Sequence, residues 1–457
     1  MTLTNFNYII TLLFFTMLVG VACKKANDLD EITDSSLLVM RTAEDAQAAL
    51  DNIPLMQETP GLSEISADNM YLAPDSIIPL MNPVIRNAYL WNADIFQGKE
   101  FTDDWFQPYR QVYYANSVLA SLPKISGDVT ILQHIKGAAL FIRAYAFHNI
   151  ALEFANLYDA STLNDPGIPL RLTPDPEPRS KRATIKETYD QIIKDLNEAV
   201  TLLPRQTDAE RKNRPALPAA FALLARVYLS MSDYQNAKIF ADSCLNLYAR
   251  LIDYKLISTS TVNPFSANNE EVLYQSNLLS ATGIIYIENC FVDSVLYSSY
   301  DVQDLRKSLF FTKGTNALPI PQFSYSGNYN RFSGLAVDEV LLIRAECNAR
   351  LSLEAKALQD ITALLKMRWK NNAYNAPPVS SANDILDLVL QERRKELVFR
   401  GLRWADIRRL NKSGASIMLK RMVSGKEYSL VPGDKRFVLP IPPDVIGFNS
   451  DMPQNPR

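Results

Sequence analysis

The densest group of chemically able side chains lies between Gln391 and Leu410, QERRKELVFRGLRWADIRRL, where ten of twenty residues are charged. Glu392 and Glu396 stand four apart and share one helix face, a spacing that suits an acid/base pair and equally an ionic ladder. A glycosidase working through two carboxyls keeps one of them protonated. Here Arg393, Arg400 and Arg403 crowd the acids, and neighbouring cations favour ionisation of both. Leu397, Val398, Phe399, Leu402, Trp404, Ile407 and Leu410 are interleaved with the charges, Asp406 among them. Part of the charged set must therefore lie beside the core, where it is tolerated only when paired and hydrogen-bonded. The stretch reads as an internal clamp between helices, and Arg403→Ala is expected to cost stability and spare ligand affinity.

A second group has the make-up of a saccharide or peptide site. Sugar rings lay their C–H faces on Trp and Tyr, while hydroxyls need fixed polar partners. Between Ser66 and Phe101 stand Asp68, Asn69, Tyr71, Arg86, Tyr89, Trp91, Asn92 and Asp94. Trp91 with Tyr89 or Asn92 is the leading platform; the alternative is that Trp91 merely anchors its own loop. On the first reading Trp91→Ala weakens binding with little change in melting temperature. Tyr286, Tyr297, Tyr300 and Tyr325 are second-rank candidates, whereas Trp105 and Tyr109, at helical spacing, are expected in the core.

Other chemistries find little support. There are two histidines, His134 and His148, and Cys244, Cys290 and Cys347 are too far apart for a zinc pattern or a disulfide framework, so no metal or cofactor is expected. No GxGxxG, Walker, GxSxG, HExxH or EF-hand pattern occurs. With 47 Lys+Arg against 50 Asp+Glu the net charge is −3, which offers no bulk field for nucleic acid.

The elements that position these groups are mostly helical. A cap and first-turn acids predict a helix over 42–52; apolar spacing predicts helices over 103–122 and 130–157; a capping-box start at Thr184 opens one that ends before Pro204. Phe221, Leu224, Ala225, Tyr228 and Ala237 fit a 34-residue tetratricopeptide register, and Leu341, Ala345, Ala357, Ile361 and Leu364 fit a second copy. Residues 53–102 and 252–334 read as loop-rich insertions, with strands expected at 271–275 and 284–287. The prolines of 436–443 predict an extended run to the end of the sequence. At the other end, residues 1–22 read as a signal peptide with an apolar core at 8–22, Cys23 as a lipidated residue, and 23–40 as a polar tether.

Several of these stretches resemble one family in its own order. QERRKELVFRGLRWADIRRL and the terminal RFVLPIPPDVIGFNSDMPQNPR are similar to the C-terminal signature of SusD/RagB outer-membrane nutrient-binding lipoproteins of Bacteroidetes. Further matches are ALFIRAYA at 139–146, PGIPL at 166–170, Thr184 to Pro204, Asp304-Leu-Arg306 and EVLLIRAE at 339–346. The resemblance implies a mainly α fold: one domain over 41–457, with a tetratricopeptide-like helix-pair scaffold at about 103–250 and 335–410. It also implies a loop-rich ligand-binding half, with ligand contacts in the 66–101 region. It implies a lipid-anchored protein on the outer membrane, facing the exterior, without catalysis. Such a protein captures oligosaccharides or peptides and delivers them to a SusC-like TonB-dependent transporter. A tetratricopeptide-type interaction scaffold and a glycan-cleaving enzyme are the rival readings.

Overall fold

The computed structural model describes residues 40–97, 103–175, 180–258, 263–279, 289–314, 316–322, 325–327, 330–372, 374 and 381–457. Cys23, the signal segment, Tyr286 and the strand expected at 284–287 lie outside them.

Helix α1, Ala43–Leu50, is fixed by a capping box in which Thr42 and Asp45 satisfy each other's backbone N–H. The short helices α2, Leu62–Ser66, and α3, Pro83–Tyr89, punctuate the first insertion. The scaffold then runs through α4, Asp103–Ser121, α5, Val129–Phe154, and α6, Ile185–Leu202, with the predicted Thr184–Glu187 box at the start of α6. Helix α5 is buried almost all round, as a central helix must be. Arg143 in α5 ties the three together: its guanidinium donates to both Asp195 oxygens at 2.7 Å and to Asn116 Oδ1 at 2.8 Å.

The next two hairpins are α7–α8, Leu217–Ser230 and Tyr234–Leu247, and α9–α10, Val337–Arg350 and Glu354–Lys366. They fill the predicted register. Ala225, Ala237, Ala345 and Ala357 are fully buried at the helix crossings, and Phe240 stacks on Tyr228 at 5.4 Å. Small residues let the axes approach and the rings fill the groove beside them. Helices α11, Ala382–Glu396, and α12, Arg403–Lys412, close the scaffold.

Among the described residues, sheet is confined to two-stranded pieces. Strand β1, Met70–Leu72, pairs antiparallel with β2, Cys290–Val292, and a hairpin β3–β4, Leu419–Val423 and Lys426–Leu430, follows α12. The ending differs from the extended run expected. Pro443 sits in the first turn of a helix, α13, Pro443–Phe448, where its missing N–H costs nothing, and Leu439 and Ile441 are buried rather than superficial. No helix among the described residues is long and apolar enough to cross a membrane.

Candidate functional site

The candidate site is a cleft between the first insertion and the β3–β4 hairpin. Period-2 alternation aims the side chains: Met70 and Leu72 point inward and are buried, while Tyr71 faces out, its ring 5.5 Å from Phe291 on β2. On the hairpin, Lys420 and Met422 face solvent and Arg421 turns in. The resulting cavity of about 320 Å³ is lined by Asp68, Tyr71, Tyr89, Trp91, Asp293 and Arg421, among others. Four of the sequence-predicted residues therefore converge.

The acids of this cleft are held in place. Arg403 donates to Asp68 through Nε at 2.7 Å and Nη2 at 2.9 Å, and Arg394 Nη2 lies 3.3 Å from both Asp68 and Asp293. Burial raises the Asp68 pKa, but Arg403 and Arg394 outweigh it and bring it below the ordinary value. Arg403 is thus no clamp remote from the ligand region; it orients a cleft carboxylate, and the expectation that its loss spares affinity does not follow from this geometry.

Trp91 and Tyr89 do not offer open faces. Trp91 is 3 % exposed and its Nε1–H donates to Ser66 O at 2.9 Å; Tyr89 is 1 % exposed and its hydroxyl accepts the Leu72 N–H at 3.0 Å. The Arg421 guanidinium lies over both rings, 3.7 Å from Tyr89 and 4.4 Å from Trp91. In this conformation Trp91 has the anchoring position, and the ring left accessible is Tyr71. Asn69 is buried, donating to Glu64 Oε1 at 2.8 Å. Arg86 donates to Gln97 and Asn92 to Asn87, away from the cleft lining. Tyr300 and Tyr325 are core residues, bonded to Lys395 O and to Glu271, while Tyr297 is half-buried against Phe311.

Sequence reasoning missed Arg421 and Asp293. The signal for the first was present: Ser424-Gly425, both at positive φ, is a two-residue turn with glycine second joining two five-residue strands, the mark of a tight hairpin. Arg421 donates to the carbonyls of Ile65, Ala67 and Tyr89, which no local pattern announces.

Most of the buried charges of the stretch that dominates the sequence are paired, Arg408 being held instead by the carbonyls of Leu152 and Ala155. Arg306 donates to Asp304, Glu392 and Glu396 at 2.6–2.9 Å; Arg368 to Glu396 and Glu271; Arg400 to Asp338; and Arg409 to Glu346 and Asp406. Burial pushes the Glu396 carboxyl up, but Arg368, Arg306 and Arg400 together hold it at about 2. A carboxyl so held is no proton donor at neutral pH.

Comparison with known proteins places these observations. A family described as starch-binding and associating with the outer membrane matches residues 29–229, and the SusD family matches residues 337–457. The SusD-like protein P2 of Formosa agariphila is 25 % identical over 416 residues, covering 77 % of this chain and 79 % of that protein. A SusD superfamily protein from Bacteroides thetaiotaomicron superposes with a TM-score of 0.74 at 21 % identity, covering 91 % of this chain and all of that one. A laminarin-binding SusD-like protein does so with a TM-score of 0.67 at 19 % identity and the same coverage of this chain. At such identities the structures speak for the fold.

Proposed function

The chain belongs to the SusD/RagB family, and from that premise we propose that it is a carbohydrate-binding lipoprotein of the outer-membrane surface. Cys23 carries the lipid, 23–40 is the tether, and the folded unit captures a neutral oligosaccharide for a SusC-like TonB-dependent transporter. The observation that carries the binding reading is the convergence of an accessible ring, Tyr71, with two pre-held carboxylates, Asp68 and Asp293, around one cleft. A sugar ring resting on Tyr71 presents hydroxyls that those acceptors and Lys420 can bind. Asp68 takes its hydrogen bonds from Arg403 before any ligand arrives, so little ordering is left to be done on binding. The function asked of these residues is binding and release, with no bond cleaved.

The test is calorimetric titration with oligosaccharides of glucan, xylan, galactan and mannan, starch- and laminarin-type glucans included. Tyr71→Ala and Asp68→Asn are expected to weaken binding about tenfold or more, each fixed contact being worth roughly 1–2 kcal/mol; Tyr71→Ala leaves the melting temperature within a few degrees, whereas Asp68→Asn, which takes the carboxylate from Arg403 and Arg394, also lowers it. Saccharide affinity indifferent to both variants would sink the site. Turnover of any of these glycans would sink the binding-only reading; a peptide bound in place of saccharide would keep the capture reading and change its cargo, and an envelope partner other than a transporter, with neither saccharide nor peptide bound, would favour the scaffold alternative.

A further inference from the structure

A larger cavity, about 630 Å³, lies elsewhere and shares no lining residue with the candidate cleft. Its floor is one face of α4, where Trp105, Tyr109 and Tyr113 recur at four-residue steps. The floor is rigid. Trp105 is wedged edge-on against Phe154 at 5.0 Å and tilted on Tyr109 at 5.1 Å, and the Tyr109 hydroxyl donates to Pro169 O at 2.9 Å. Tyr113 is half-buried, and at the rim Phe448 of α13 is 85 % exposed. A lone exposed Phe needs no explanation, but this one lines the same cavity as the three rings of α4.

The opposite wall is polar and already tied together. Arg171 donates to Ser180 Oγ at 2.8 Å and to Asp175 O at 2.7 Å, and Asn449 donates to Ser180 O. Asn116, itself fixed by Arg143, anchors this strap by donating to Arg171 O at 2.9 Å. Charges of both signs line the cavity, Arg110 and Arg171 with Asp175, so it has no run of one sign to select a strongly charged ligand. Its volume falls inside the roughly 300–1,000 Å³ range of small-ligand sites. Planar apolar faces opposite pre-arranged hydrogen-bonding groups are what a pyranose ring, with its C–H faces and equatorial hydroxyls, requires.

We infer that the groove between α4, residues 169–175 with Ser180, and α13 is a second, independent binding site for neutral oligosaccharide, its sugar rings stacked on Tyr113 and Phe448. The ligand class agrees with the function proposed above, but the argument stands on this cavity's own lining. Two sites on one chain bind a long glycan with higher avidity than either alone, provided the chain of sugars spans both.

The experiment is titration of the purified protein with the saccharide panel above, for the native sequence, Tyr71→Ala, the pair Tyr113→Ala/Phe448→Ala, and all three together. Both rings of the pair are accessible, so the fold is expected to survive, and circular dichroism checks that it does. Phe448→Ala alone, at a largely solvated position, is the back-up variant. Expected is a stoichiometry of two, with the pair weakening one site at least tenfold and leaving the Tyr71-dependent site as it was. A single site that responds to Tyr71→Ala and ignores the pair overturns this inference alone. A single site that responds to the pair and ignores Tyr71→Ala supports it and removes the candidate cleft instead. No saccharide bound at any site overturns both.

Discussion

Trp91 sets the sharpest demand at the scale of single residues. Its ring is packed with Trp404, Ile407, Leu419 and Phe437, its N–H is satisfied by Ser66 O, and Arg421 covers one face. Removing so large a buried ring costs transfer energy and leaves a cavity, so Trp91→Ala is expected to lower the unfolding free energy by about 3–5 kcal/mol. Urea unfolding decides between anchor and platform, since an unchanged midpoint would return Trp91 to the ligand. Glu153 makes a different demand. It is 3 % exposed, accepts the Ser63 N–H at 3.1 Å, and neighbours Asp104, which accepts the N–H groups of Gly61 and Leu62. Burial, reinforced by the Asp104 carboxylate, pushes its pKa up from 4.5 to about 8. Between those values the folded chain keeps a proton that the unfolded chain has released, so stability is full below 4.5, falls as pH rises through the window, and is flat above it. Glu153→Gln removes that loss. It is expected to raise stability at pH 8 by on the order of 2 kcal/mol and to leave it unchanged at pH 4, and a melting-temperature profile parallel to the native one across pH 4–8 would refute the assignment.

At the scale of elements, the β3–β4 hairpin works as a latch on the cleft. One guanidinium, Arg421, reaches the carbonyls of Ile65, Ala67 and Tyr89 from below, and burial depresses its pKa to about 10 without discharging it at neutral pH. Lysine keeps the charge but loses the planar fork. Arg421→Lys is therefore expected to cost about 2–3 kcal/mol, with amide exchange accelerated in 65–91 and unchanged in α7. Equal acceleration in both would mean global destabilisation and no latch. This latch also shows where sequence reading stops. The helix pairs were legible because their code is local: Phe221, Leu224, Ala225 and Tyr228 meet partners within one hairpin, and Thr184 caps its own helix. The family was legible because its signature is a set of contiguous runs in a fixed order. The convergence of Asp68, Tyr71, Tyr89 and Trp91 was legible as composition, but the burial of two of those rings was not, since the covering arginine lies 332 residues from Tyr89. In the same way, prolines at 442 and 443 forbid a helix interior and permit a helix start, and composition does not choose between them.

At the scale of the whole molecule, the folded unit over residues 40–457 is joined across its insertions by charge as much as by apolar packing. Asp304 and Arg306 belong to the second insertion, Arg368 follows α10, and Glu392 and Glu396 end α11; all five side chains are within 6 % of full burial. Glu271, beside strand Val272–Tyr274 of the same insertion, extends the network through Arg368 at 2.9 Å. Desolvating so many ions is expensive, and the pairing offsets that cost only while every partner is present. Arg306→Gln leaves Asp304, Glu392 and Glu396 facing one another with one cation fewer. It is expected to cost about 3–5 kcal/mol and, because the lost partner tied an insertion to the scaffold, to drag both down in one transition. Exposed pairs supply the control: Lys186 and Asp190, each more than half exposed, form an i,i+4 bridge whose removal by Lys186→Ala should leave the urea midpoint where it was. Salt separates the two cases, since a screening length of roughly 3 Å at 1 M acts on solvated charges and hardly on groups no water reaches. If the Arg306 variant instead unfolds within about 0.5 kcal/mol of the native chain, or if its deficit is erased by salt, the buried network is not what binds insertion to scaffold, and apolar packing of Phe310, Tyr325 and Phe332 must carry that junction alone.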